Sequence, residues 1–579
     1  MASGEISVYK GRQMLHPDFE IMSDEETKRL HTGRIVPFYP LTEGMSQKRL
    51  RRIIDNGITL YLDYLEETLP DALITAENLL PVKQAILHIH RPEKLSDTER
   101  GKGRLIFEEL FYFEILLALR RKRLKVQRSH ITLSKEGNLV RQFMGLIPFE
   151  LTRDQKKVVK EIREDFLSGN PMHRMLQGDV GSGKTVVAIL VSLMIIESGY
   201  QVAFMAPTEI LAEQHFLSMG GILASMDISN ELLIGSVKSK EKTRIYHSLE
   251  DGSTDIIFGT HALIEDVVSF KKLGLVIVDE QHRFGVMQRA KLMEKGENPH
   301  FLVMTATPIP RSLSMTLYGD MDISTLREMP PGRKEIVTRL TGERNRAKLY
   351  DFILEKVEKG EQCYIIYPLV EESEKVDLKA ATEMYEELKN NVFKGIGVGL
   401  LHGRMKTDEK EAVMHAFRDK QIMVLVSTTV IEVGIDMPDA TIMVIEHPER
   451  FGLAQLHQMR GRVGRGDKKS YCILLSPFKL SEEAEERLKT IEATRDGFKI
   501  AEKDLELRGP GEFFGTRQHG LPDLRFSNLI TDRPILKRAR KRAFDIIEED
   551  PQLLNEEHQR IRQRYLEKYR EMDKLGDVL

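Results

Sequence analysis

Two long series of apolar runs, each run followed by a polar or helical stretch, constrain the fold of this 579-residue chain more than any other feature. The first series contains "QVAFMAP", "DIIFGTH", "LGLVIVDE" and "FLVMTATP". After the turn "MPPGRKE" a second series contains "QCYIIYPL", "GVGLLHG", "IMVLVSTTV", "TIMVIEHP" and "SYCILLSP". Runs this continuously apolar suit strands buried on both faces, and the helical stretches between them suit crossover connections. Each series therefore predicts a parallel sheet covered on both sides, and the pair predicts two α/β lobes.

The flanks read differently. Residues 1–45 mix short β-like runs with Pro and Gly and end at "GRIVPFYP". From Ser46 to Leu119, "SQKRLRRIIDNGITLYLDYLEETL" and "RLIFEELFYFEILLALR" place apolar residues three and four apart, as helices do. Beyond the second lobe the chain is charged and mostly helical, with a Gly-rich interruption at "RGPGEFFGTRQHG". No fixed-period repeat is visible. The resulting division is 1–45, a helical region 46–145, lobes at 146–333 and 334–480, and a C-terminal region 481–579.

Composition excludes several classes. The longest apolar stretch, Val186 to Ile196, falls short of the roughly 18 residues that span a bilayer. Met1 to Lys10 lacks the apolar core of a secretory signal, so a cytoplasmic protein without membrane attachment is expected. Two cysteines, Cys363 and Cys472, exclude a disulfide framework and a multi-cysteine zinc site; each sits in an apolar run and predicts a buried thiol. His88 and His90 read as ordinary surface or core histidines. The net charge of −3 says nothing about nucleic acid, because only the phosphates actually contacted count. The basic run "RRKRLKVQR", Arg121 included, reads as a solvated helix face, with DNA contact as the alternative.

The chemistry begins at "GDVGSGKT", Gly178 to Thr185, between the strand-like "HRMLQ" and the helical "VVAILVSLMII". Gly178, Gly181 and Gly183 let backbone N–H groups converge on phosphate oxygens at a helix N-terminus. Lys184 is placed to neutralise the β- and γ-phosphates of ATP, and the Thr185 hydroxyl to ligate Mg²⁺. In "VIVDEQH", Asp279 would hold the Mg²⁺ and Glu280 would orient and activate the attacking water. His282 follows where the γ-phosphate state could be relayed. The segment "QLHQMRGRVGRG" adds Gln458, Arg462 and Arg465 from the second lobe. A guanidinium inserted from another lobe stabilises the transferring phosphoryl group, by factors of roughly 10³ to 10⁵ in known cases, and ties hydrolysis to lobe closure.

Taken in order, these motifs resemble a superfamily-two helicase with two RecA-like lobes. "FELTRDQ" resembles an adenine-reading motif, which implies Gln155 as the adenine contact. "APTEILAEQH", "GTHALI", "TATPIPR", "YPLVEESE", "LLHGRM" and "STTVIEVGIDMP" resemble the strand-contact and coupling segments. The resemblance implies Thr208, Thr260 and Thr428 as phosphate-backbone contacts, Thr305 and Thr307 as couplers, and Asp436 facing the nucleotide cleft. "EERLKTIEATRDGFKIAEKDLELRGPGEFFGTRQHG" is similar to the translocation motif shared by RecG and the transcription-repair coupling translocase. It implies Arg487, Arg508 and Gln518 as a lever between motor and duplex, with an ordinary exposed residue the alternative for Arg487. Together with "TLYGDMDISTLREMPPGRK" and the stretch before the motor, the pattern resembles the RecG family over essentially the whole chain.

That resemblance implies a monomeric ATP-dependent motor on branched and double-stranded DNA in the bacterial cytoplasm and nucleoid, with single-strand binding protein as a partner. Members of the family begin with an oligonucleotide-binding wedge barrel. Here only "GEISVYKGRQMLHPDFEIM" resembles its last part, so residues 1–45 are expected to be a wedge remnant. A duplex translocase that displaces bound protein and an ATP-gated binding module remain the competing classes; intact Glu280, Arg462 and Arg465 speak against the second.

Overall fold

The computed structural model describes residues 34–126, 128–134, 137–280, 286–306, 321–331, 334–368, 374–428, 437–476, 480–508, 524–529 and 531–576, together with four short N-terminal strands. Those strands are β1 (Ala2–Ser3), β2 (Ile6–Val8), β3 (Arg12–Met14) and β4 (Asp18–Phe19). β1 pairs with β4 and β2 with β3, both antiparallel. The chain forms two compact units: residues 1–122 with 520–577, and residues 123–519 with 578–579.

The larger unit holds two parallel sheets. The first has seven strands: β5 (His173–Gly178), β6 (Gln201–Met205), β7 (Asn230–Leu233), β8 (Ile256–Gly259), β9 (Leu273–Asp279), β10 (His300–Thr305) and β11 (Asp322–Leu326). Their order across the sheet is β11-β5-β10-β9-β6-β8-β7. Side chains one residue apart point to opposite faces, and both faces are sealed. Leu275 and Ile277 of β9 join one core with Leu176, Phe204 and Leu302, while Val276 and Val278 join another with Met175, Ala203 and Val303. The helix Lys184–Ile196 is apolar all round because it is buried almost completely against the first core.

The second sheet has six strands: β12 (Ile336–Gly342), β13 (Gln362–Ile366), β14 (Val398–Leu401), β15 (Val424–Ser427), β16 (Ala440–Glu446) and β17 (Ser470–Ser476). Their order is β12-β17-β16-β13-β15-β14. Met443 and Ile445 face one core and Ile442 and Val444 the other, so the alternation is the same. Cys363 and Cys472 are buried in these strands, and burial pushes the Cys472 thiol up to about 12.

Three strands escape the apolar pattern. β7, β11 and β12 lie at sheet edges, and each carries several half-exposed residues. An edge strand can leave part of its surface uncovered, and these three do, whereas β14, at the other edge of the second sheet, is covered and keeps its apolar run.

Beyond the four short strands, the described residues of the smaller unit are mostly helical and are pinned by buried carboxylates. Its longest helix, Leu95–Val126, buries Phe107, Phe111, Ile115 and Leu116. Arg104, fully buried on the same helix, pairs with Glu67 at 2.6 Å and Glu108 at 2.5 Å. Glu109 accepts backbone N–H bonds from Arg525 (2.7 Å), Phe526 (2.9 Å) and Ser527 (2.8 Å). Glu114 pairs with Arg540 at 2.8 Å, on the helix Arg533–Glu549. His90 bonds through Nδ1 to the Tyr39 hydroxyl, 2.7 Å away. Among the described residues, no helix is long and apolar enough to cross a membrane.

Candidate active site

The phosphate loop runs from the end of β5 into the helix Lys184–Ile196. Gly181 and Gly183 have φ of +78° and +84°, the left-handed region that glycine enters without strain. A Cβ on Gly183 would also collide with Gln155 Nε2. Gln155 is buried and both ends of its amide are engaged. Its Oε1 accepts from Thr152 N (2.8 Å) in a helix capping box, and its Nε2 donates to the Ser182 carbonyl (3.0 Å). The expected adenine contact thus braces the loop. Lys184 is buried, with Nζ donating to the carbonyls of Gly178 (2.7 Å) and Asp179 (2.9 Å). Burial lowers its pKa, and Glu280 and Asp279 work against that shift.

Lys184, Thr185, Asp279, Glu280, Arg462 and Arg465 line one cleft of about 580 Å³. Asp279 ends β9, and its Oδ2 lies 3.0 Å from His215 Nε2. Burial pushes the Asp279 carboxyl up, but the hydrogen bond and charge of His215, helped by Lys184, hold it below the usual carboxylate range. Glu280 goes the other way: burial, then the neighbouring Asp279, raises it. Two adjacent acids are thus driven apart, one lowered and the other raised from the ordinary value of its kind. Glu280 also has φ +52°, a backbone conformation rare for a residue with a Cβ. Such geometry concentrates where a side chain must be aimed.

Arg462 and Arg465 reach this cleft from the second lobe. Burial and the charge of Arg465 pull Arg462 down to about 10, while Glu280 opposes the shift. The approach is close because residue 461 is glycine: a Cβ there would come within 2.8 Å of Val180 Cβ in the phosphate loop.

A second link joins the same elements. Asp179, inside the phosphate loop, accepts a hydrogen bond from His457 Nε2 and another from Gly497 N, at 3.2 Å. Arg460 Nη2 lies 2.7 Å from His457 Nδ1. All four residues fall inside motifs quoted above, but residue type alone did not single them out. His215 was missed in the same way, within "APTEILAEQH".

Comparison with known proteins points to one family. The DEAD/DEAH box helicase family matches residues 152–316 and the helicase conserved C-terminal domain matches 344–467. The RecG wedge domain matches 3–61, and the C-terminal part of domain 3 of the ATP-dependent DNA helicase RecG matches 494–574. The ATP-dependent DNA helicase RecG of Synechocystis sp. is 45% identical over 99% of this chain and 69% of its own length. This chain belongs to the RecG family of ATP-dependent DNA helicases. The RecG of Thermotoga maritima is 48% identical over 91% of this chain and 68% of its own length. A solved structure of RecG bound to a three-way DNA junction superposes with a TM-score of 0.74 at 44% identity, covering 93% of this chain and 70% of that one.

The remaining candidates of this RecG-family chain are spread along both lobes and the region after them. Thr208 Oγ accepts from Leu211 N (3.4 Å) and caps the helix Glu209–Ser225. Thr260, Thr305 and Thr428 are buried at or just beyond the ends of β8, β10 and β15. Gln458 is buried on the helix Leu453–Arg460. Arg487, on the helix Glu482–Ala493, donates to the Phe451 carbonyl and so fastens that helix to the second lobe. Arg508 ends the helix Gly497–Arg508. His282, Thr307, Asp436 and Gln518 lie outside the described residues.

Proposed function

We propose that this ATP-dependent helicase moves along duplex DNA and remodels branched DNA in recombination and repair, regressing stalled forks and migrating junctions. One observation carries the chemistry: both acids of the first lobe and both arginines of the second line one cleft with the phosphate-loop lysine. In this reading Lys184 binds the β- and γ-phosphates. Glu280 orients the attacking water and takes up its proton, and Arg462 and Arg465 stabilise the charge spreading over the γ-phosphoryl oxygens. A hydroxyl and a carboxylate held ionised form a hard-oxygen donor set that suits Mg²⁺, so Thr185 and Asp279 would hold it. When bound, Mg²⁺ neutralises phosphate charge.

The branched substrate is proposed from the resemblance to the junction-bound RecG structure. Thr208, Thr260, Thr305 and Thr428 are proposed as strand-contact and coupling residues, and Arg487 and Arg508 as parts of the lever. A cytoplasmic, nucleoid-associated monomer that meets single-strand binding protein on DNA is part of the same proposal, and the bacterial sources of the relatives support its bacterial setting.

The test compares ATP turnover on forked, linear duplex and single-stranded DNA of equal length. Highest turnover on the fork is expected. Equal turnover on fork and linear duplex would reduce the reading to a translocase without branch preference, and stimulation by single strands alone would refute a duplex track.

A further inference from the structure

Asp179 is held in a way that phosphate binding at Lys184 does not require. Its carboxylate lies in the wall of a second cleft, of about 630 Å³, together with His457, Arg460 and Phe498. Both oxygens are engaged. Oδ1 accepts from His457 Nε2 and from Val180 N (3.1 Å), and Oδ2 accepts from Gly497 N (3.2 Å) at the start of the helix Gly497–Arg508. Arg460 can only donate, so its bond to His457 Nδ1 leaves the ring proton on Nε2, aimed at Asp179. The other arm of Arg460 donates to the carbonyls of Ile491 (2.8 Å) and Thr494 (2.9 Å), where the helix Glu482–Ala493 ends. The main chain of Asp179 is gripped independently, since its carbonyl accepts from Lys184 Nζ at 2.9 Å.

One residue therefore meets the phosphate-binding ammonium through its carbonyl, and the second lobe and helix Gly497–Arg508 through its carboxylate. Phosphate oxygens compete for the same ammonium. When Lys184 turns toward them, the peptide after Gly178 loses a restraint, and the carboxylate on the same Cα shifts with it. A buried carboxylate is a costly way to fill space, and an apolar side chain would pack there at less expense. What the ionised link adds is sensitivity, because such hydrogen bonds weaken steeply with distance and angle.

We propose that Asp179 is a positioning residue that passes the state of the phosphate site to helix Gly497–Arg508, the segment through which the chain leaves the lobes for the compact unit containing residues 520–577. The proposal rests on the motor reading given above. Its test uses the full chain with Asp179→Asn, Gly497→Pro and the double variant. Asparagine keeps the shape but loses one acceptor. Proline is tolerated in the first turn of a helix; it replaces the N–H that Asp179 accepts with a ring methylene that also faces the carboxylate.

The readout is the ratio of strand separation to ATP turnover on forked DNA, with wild type alongside. Each single variant is expected to lower that ratio by about five-fold or more, with ATP turnover of Gly497→Pro within about three-fold of wild type. The double variant should be no worse than the worse single variant, because each change alone interrupts the same carboxylate-centred path. An unchanged ratio, additive losses, or strand separation and turnover falling in parallel would overturn the proposal. If Gly497→Pro does not fold, as judged by its melting curve, the ratio for Asp179→Asn decides alone. Absence of DNA-stimulated turnover in wild type would instead refute the motor reading.

Discussion

Lys184 and Glu280 show how burial, rather than residue type, makes this site reactive. Lys184 is buried and Glu280 half-buried in the cleft, and their shifts run in opposite directions from their ordinary values: the lysine down, the carboxyl up. Each change makes the neutral form easier to reach. For Glu280 this is what proton uptake from water needs, so Glu280→Gln should cut the DNA-stimulated kcat by about 10² to 10⁴-fold. Affinity for a non-hydrolysable ATP analogue should change little, since the amide keeps the shape. A kcat within ten-fold of wild type would show that Glu280 is not the base. The residues of this cleft were legible because phosphate loops and paired acids recur at fixed spacing. His215, Asp179 and His457 were not, because their roles depend on which atoms the fold brings together. Nothing in "LAEQH" marks its histidine as the group that holds Asp279 ionised.

Elements were legible in proportion to their burial. The continuous apolar strands β6, β8, β9 and β10 stood out because two covered faces leave no polar position, whereas the edge strands β7, β11 and β12 did not. The helix Leu95–Val126 reads correctly as a helix, but its periodicity hides why carboxylates interrupt an apolar run. Glu109 and Glu114 hold segments more than four hundred residues away in sequence, through Arg525–Ser527 and Arg540. Glu114 yields a pH prediction. Burial raises its folded pKa to about 7 against the pull of Arg540, so the folded state binds the extra proton between the unfolded value of about 4.5 and 7. Stability from this group is therefore greatest below that window and declines as pH rises through it. Glu109 and Glu77 carry lowered values, so they lose stability only on further acidification and leave this window clear. Glu114→Gln should flatten the fall in melting temperature between pH 5 and 7.5. An identical fall in variant and wild type would mean that Glu114 stays ionised in the folded protein throughout.

At the scale of the whole chain, catalysis is divided between two sheets that fold around separate cores. Lys184, Asp279 and Glu280 belong to the first and Arg462 to the second, so under the proposed roles hydrolysis would require the two lobes to be closed on each other. The sequence implied this from two motifs more than two hundred residues apart. What it could not reveal was the tolerance of the joint, where Gly461 leaves no room for a side chain against Val180. Nor could a linear reading show residues 520–577 returning to join residues 1–122. The divided site makes a distinct kinetic demand on Arg462. In the proposed mechanism its guanidinium acts in the transition state, because charge spreads onto the γ-phosphoryl oxygens only as the bond breaks. Arg462→Ala should therefore lower the DNA-stimulated kcat by about 10³-fold or more while the KM for ATP moves by only a few-fold. Arg462→Lys should restore little, since an ammonium keeps the charge but not the planar fork. A variant that raised KM and spared kcat would place Arg462 in ground-state binding, and the two lobes would then be a container for ATP rather than halves of one catalyst.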